Sequence, residues 1–344
     1  MTRKGWALMA YDEEILRRAR QRFEAARQER RETLEEHREN AYRREPRLRK
    51  IETELRKTSA QILSAALRHD GDPRQAVEQL REKNLALQAE RKTLLLKLHL
   101  RADYLSEQPA CAICKDSGYD SNGRMCKCLR EYCAKEQKKE LSKMLDLGTQ
   151  SFETFSLDCY SERTDREMRM SPRENMRRVY NACVKYAREF EPGNGNLFFF
   201  GSTGLGKTFL SAAIAREVNA AGFSVVYDSA AHVFQQFFDA DKFDSDEADM
   251  RNVRRILRCD LLILDDLGTE KRSAFVISAL YQIVNTRLME RRSTILNTNL
   301  EADELADYYS PQIASRIQGE YRSLEFFGED IRKKNKHAKG TAPF

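Results

Sequence analysis

Eight consecutive residues, Gly201-Ser202-Thr203-Gly204-Leu205-Gly206-Lys207-Thr208, follow the spacing G-x-x-x-x-G-K-[ST] at every fixed position. Glycines at those positions let backbone N–H groups turn inward around phosphate oxygens, and a helix N-terminus behind them favours anions. Lys207 is suited to reach the β- and γ-phosphates of ATP, and the Thr208 hydroxyl to ligate Mg²⁺. The apolar run Leu197-Phe198-Phe199-Phe200 before the loop reads as a strand, and Phe209 to Ala220 after it as a helix. Further on, Leu261-Leu262-Ile263-Leu264 reads as a central parallel strand, with Asp265 and Asp266 at its C-terminal end, where α/β sheets bind ligands. Asp265 is expected in the Mg²⁺ shell and Asp266 beside the attacking water.

A second chemistry sits in the cysteines. Five of the eight crowd into residues 111–133. Cys111, Cys114, Cys126 and Cys128 form a C-x-x-C…C-x-C pattern around an easily turned segment. Four thiolates brought together in this way make a closed, structural Zn²⁺ site with no open position for substrate. The second pair has one intervening residue, which is atypical, and Cys133 is a spare that could replace Cys128. Cys159, Cys183 and Cys259 read as ordinary buried thiols.

These groups need elements to hold them. Residues 150–344 alternate strand-type runs (Leu197–Phe200, Ser224–Tyr227, Leu261–Leu264, Thr294–Leu296) with helical patterns, which predicts a parallel sheet covered by helices. Residues 11–105 are rich in helix formers and read as helix almost throughout, interrupted at Pro46. A second helix from about Leu48 carries Ile51 and Leu55 at helical spacing. Gly71, Asp72 and Pro73 suit a cap and restart, and Leu80, Leu87 and Leu94 repeat every seven residues as a short coiled-coil seam. The expected organisation is therefore a helical arm over 1–105, a zinc module and linker helix over 106–140, an α/β ATPase domain over 141–335 and a basic tail over 336–344.

Charge divides along the same line. The 344 residues hold 60 Lys+Arg and 54 Asp+Glu, a formal net charge of +6. Residues 1–110 contain 25 basic and 19 acidic residues, so the whole excess lies there, and the remainder is balanced at 35 of each. Basic and acidic residues interleave along the arm, as in Arg27-Gln28-Glu29-Arg30-Arg31-Glu32, so no bare basic stripe forms. That favours protein docking over a general DNA grip. No run of apolar residues is long enough to cross a membrane. The N-terminus has no secretory pattern, and eight cysteines in 344 residues make no disulfide scaffold, so a reducing cytoplasm is expected.

The phosphate loop, Leu264-Asp265-Asp266-Leu267-Gly268 and Ser293-Thr294-Ile295-Leu296-Asn297-Thr298-Asn299-Leu300 together resemble the AAA+ ATPases of the DnaC/DnaI type, the bacterial replicative helicase loaders. The resemblance covers roughly residues 150–335. It implies that Ser151-Phe152-Glu153-Thr154-Phe155 helps enclose the adenine, Asn299 contacts the γ-phosphate or water, Arg316 reaches a neighbouring subunit's nucleotide, and Arg332 senses nucleotide from a C-terminal segment. It also implies ATP-dependent self-assembly and, as partners, a replicative DNA helicase and single-stranded DNA. The IstB-like ATPases that activate transposases share most of these marks, and the cysteine module and arm favour the loader. A non-hydrolysing adaptor is the remaining alternative, against which Lys207, Thr208, Asp265 and Asp266 speak. Between the second and third strands, Phe234, Phe237 and Phe238 read as the core face of an amphipathic helix rather than as a DNA-stacking surface, since the acidic run 239–249 would repel phosphates.

Overall fold

The structure is a computed structural model that describes residues 11–67, 74–144, 150–301 and 303–332. The caps expected at Gly71 and Asp72, the restart at Pro73 and the basic tail lie outside these residues. The chain divides into two compact units, residues 22–116 and residues 1–21 with 117–344.

The smaller unit is helical. Helix α1 spans Glu13–Arg44, with residues 22–44 in this unit, α2 Pro46–Leu67 and α3 Arg74–Lys97. The break falls at Glu45, and Pro46 occupies the first position of α2, where its missing N–H costs nothing. Helices α2 and α3 lie side by side. Leu87 is buried on the seam, while Leu80 and Leu94 are half-buried. Polar pairs close the flanks: Arg47 meets Glu90 at 2.7 Å, Arg91 meets Glu52 at 3.0 Å, and Asn84 donates to the Thr58 hydroxyl at 2.9 Å.

The larger unit is built on five parallel strands: β1 Asn196–Phe200, β2 Val225–Ser229, β3 Leu261–Leu267, β4 Ser293–Thr298 and β5 Tyr321–Glu325, in the order β2-β3-β4-β1-β5. The helices around it are α4 Lys127–Met144, α5 Pro172–Arg188, α6 Lys207–Ala220, α7 Ala230–Ala240, α8 Glu247–Arg258, α9 Ala274–Met289, α10 Glu304–Tyr308 and α11 Pro311–Glu320. Alternation along the strands separates two cores. Leu197, Phe199, Leu261, Ile263 and Ile295 pack with α5 and α6, whereas Phe198, Leu262, Leu264 and Leu296 pack with α7, α9 and α11. Phe234 and Phe237 are buried in the second core as expected, but Phe238, one position further round the helix, is exposed rather than on the core face. The four anticipated strands are all present. The fifth, β5, has a polar sequence and a buried residue only at every third position, which hid it.

Residues 11–21 group with the sheet, although the sequence places them in the arm. Tyr11, Ile15, Leu16 and Ala19 are buried, the Tyr11 hydroxyl donates to the Gly222 carbonyl, and Arg255 pairs with Asp12 at 3.2 Å.

Candidate nucleotide site

Strand β1 delivers the chain into Gly201, at φ +112°. A Cβ there would stand 2.0 Å from the Phe326 carbonyl oxygen, so only glycine lets the two backbones approach. Gly206, also left-handed, precedes the first residue of α6, Lys207. The loop therefore ends at a helix N-terminus, whose N–H groups have no partner within the helix. Lys207 is buried, and its Nζ donates to the carbonyls of Gly201 at 2.5 Å and Ser202 at 2.8 Å. Burial pulls its pKa down to about 8 against the opposing pull of Asp265 and Asp266.

A cavity of about 400 Å³ opens over the loop, within the size range of small-molecule sites. Thr203 to Phe209, Phe155, Asp266, Asn299 and Arg332 all line it. The segment before the core is bent by a capping box between Ser151 and Thr154. Phe155 then stacks on Tyr180 and meets Phe209 edge-on. Phe152 is turned away into the core, edge-on to Tyr180, and does not line the cavity. Tyr160, which nothing in the sequence singles out, donates to the Leu205 carbonyl at 2.8 Å and forms part of the wall.

The two acids differ. Between β3 and β4 the register shifts, so that Asp265 and Asp266 are spanned by the single residue Asn297. This bulge, a device common beside functional sites, puts Asp266 at φ +54°. Its carboxyl faces the cavity, where partial desolvation and then the charge of Asp265 hold its pKa above the ordinary carboxylate range. Asp265 is buried and does not line the cavity. The C-terminal segment reaches the loop through the Ile331 N–H, which donates to the Gly204 carbonyl at 3.1 Å, and so brings Arg332 to the rim. Arg316 is elsewhere, on α11. Its guanidinium lies over the Tyr281 ring, 5.0 Å from the centroid, and donates to Asn285 Oδ1 at 3.3 Å.

The four sulfur atoms of Cys111, Cys114, Cys126 and Cys128 lie within 4.8 Å of one another. Zn–S bonds of ~2.3 Å in a tetrahedron require S···S edges of about 3.8 Å, so the donor set fits a metal with little adjustment. Left-handed residues Lys115 and Asp116 shape the first knuckle. The Asp116 carboxylate accepts from the N–H groups of Cys111 and Ala110 and from Arg30. Burial raises its pKa, but these donors outweigh burial and keep the carboxyl below its usual range. Cys133 stands apart: it is buried, 4.0 Å from the Met125 sulfur, and burial pushes its thiol up to about 12. Cys128 therefore completes the four.

A parallel sheet of order 2-3-4-1-5, a phosphate loop after β1 and an acidic pair ending β3 define an AAA+ P-loop protein. Residues 150–338 match the family described as IstB-like ATP binding protein, and the chain belongs to that family. Among curated relatives, the replicative helicase loader DnaC of Escherichia coli K12 is 24% identical over 168 residues, 49% of this chain and 62% of the relative. DnaC of Buchnera aphidicola (subsp. Schizaphis graminum) is 22% identical over 182 residues, 53% of this chain and 72% of the relative. The chain thus spans less than two thirds of the Escherichia coli protein. A solved structure of the DnaC helicase loader is similar at 21% identity and TM-score 0.41, covering 51% of this chain and 98% of that one. Among the described residues, no helix is long and apolar enough to cross a membrane.

Proposed function

We propose that this chain hydrolyses ATP and, as an ATP-switched oligomer in the cytoplasm, loads a replicative DNA helicase onto single-stranded DNA. The observation that carries this reading is the convergence of Lys207, Thr208, Asp266, Asn299 and Arg332 on one cavity. Lys207 would hold the β- and γ-phosphates, and Phe155 would cover the base. Asp266 would orient the attacking water, with Asn299 and Arg332 reading the γ-phosphate. Thr208 and Asp265 would hold Mg²⁺, which supplies charge neutralisation across the phosphates. Arg316 lies outside its own chain's cavity, which suits a role on a neighbouring copy.

The loader reading is tested by reconstitution. The chain, its cognate ring helicase and a closed circle of single-stranded DNA should give ATP-dependent transfer of the ring onto the circle. ATPase activity without transfer, with stimulation by a transposase instead, would replace this reading with the transposition role of IstB-like proteins.

Two further outcomes follow from the appended parts. Purified without chelator, the protein should carry about one zinc per chain, and Cys111→Ser with Cys114→Ser should lose it. Elemental analysis finding no metal would remove the zinc site. The arm is proposed to dock protein, because its arginines are engaged by acids, as Arg47 is by Glu90 and Arg91 by Glu52. Arg47→Gln with Arg91→Gln should leave the salt slope of single-stranded DNA affinity unchanged. A fall of roughly 1.4, about 0.7 per lost phosphate contact, would assign the arm to DNA.

A further inference from the structure

The period-two alternation of the sheet puts Tyr227 on β2, Asp265 on β3 and Asn297 on β4 on the same face, the one that carries α6. Their side chains meet. The Tyr227 hydroxyl donates to Asp265 Oδ2 at 2.6 Å, and Asn297 Nδ2 donates to Asp265 Oδ1 at 2.9 Å. The Asp266 N–H donates to the same Oδ1 at 3.0 Å. The Asn297 amide can stand only one way, because an ionised carboxylate only accepts. Its Oδ1 then faces the Ser211 hydroxyl at 3.0 Å, and Ser211 is one turn beyond Lys207 on α6, 2.9 Å from the Lys207 carbonyl. The Thr208 hydroxyl lies beside the Tyr227 phenol. Tyr227, Asp265, Asn297 and Ser211 are all buried.

We propose that Tyr227 and Asn297 are positioning residues that clamp Asp265 from the two neighbouring strands and tie it to α6, so setting the affinity for the divalent cation that accompanies the nucleotide. The proposal rests on the nucleotide-site reading above and deepens it. Tyr227 engages Oδ2 and Asn297 engages Oδ1, so both oxygens of the Asp265 carboxyl are held from the neighbouring strands. Tyr227 touches both Thr208 and Asp265, the two groups assigned to Mg²⁺. Asn297 lies across the bulge that sets Asp266 apart from Asp265, so the clamp also fixes where the second acid begins. Outer-shell partners of metal ligands typically contribute 10- to 100-fold to metal affinity.

The test is a Mg²⁺ titration of fluorescent ADP binding, with no hydrolysis step, on the full chain, Tyr227→Phe and Asn297→Ala. Each variant should raise the Mg²⁺ concentration for half-saturation by about 10-fold or more. ADP affinity in excess chelator should not change. A lower melting temperature with an unchanged Mg²⁺ midpoint would reduce the clamp to packing and overturn the proposal. Tyr227→Phe keeps the ring in the core, so it decides the matter should Asn297→Ala fail to fold. If the unaltered chain binds no ADP at any Mg²⁺ concentration, the nucleotide-site reading itself falls.

Discussion

ATP bound to an Asp266→Asn chain should stay intact. Affinity should remain within about twofold of the unaltered chain, and single-turnover hydrolysis should slow by about 10²-fold or more, the usual contribution of a positioned base. The reason is local. The bulge turns Asp266 into a left-handed conformation facing the cavity, apart from buried Asp265, and partial burial holds its pKa above the ordinary carboxylate range. Asn has the same shape and tolerates positive φ, so the backbone should survive the change while the acceptor is lost. Rapid quench with labelled ATP checks the result, and hydrolysis at the native rate would remove Asp266 from the role of orienting the attacking water.

The second large effect is Lys207→Ala. Nucleotide affinity should fall by about 100-fold or more, since charge-assisted hydrogen bonds are worth ~1.5–3 kcal/mol each. The melting temperature of the nucleotide-free chain should not fall. Lys207 is a buried cation whose near partners are two loop carbonyls, and removing it also removes its desolvation cost. Calorimetric titration with ATP, paired with a thermal melt, separates the two quantities. An unchanged affinity would show that the phosphates sit elsewhere. A large drop in melting temperature would mean that Lys207 serves the fold first.

What could be read in the sequence follows from what each signal depends on. The phosphate loop is a local device, so its spacing alone identified it, and Leu197–Phe200 and Leu261–Leu264 were legible because buried parallel strands are continuously apolar. Phe152 and Phe155 lie three apart in one segment, and only the capping box decides that Phe155 faces the cavity while Phe152 faces the core. Tyr227 and Asn297 were missed for a different reason. Their importance comes from register between strands distant in sequence, which neither residue type announces. Arg287 is similar: it is fully buried on α9, donates to the carbonyls of Ile256, Cys259 and Ser293, and reads in sequence as one more surface arginine.

The join between α11 and β5 has a mechanical meaning. The helix ends at Glu320 and the strand starts at Tyr321, with no residue between them to act as a hinge. Strand β5 is paired with β1 along five residues, and β1 runs straight into Gly201, where Phe326 bears on the loop backbone. Arg316 and the glycine loop are thus the two ends of one continuous helix-strand-strand path. Under the function proposed above, a shift of the loop between nucleotide states would have no hinge in which to dissipate and would reach Arg316 as a change of aim.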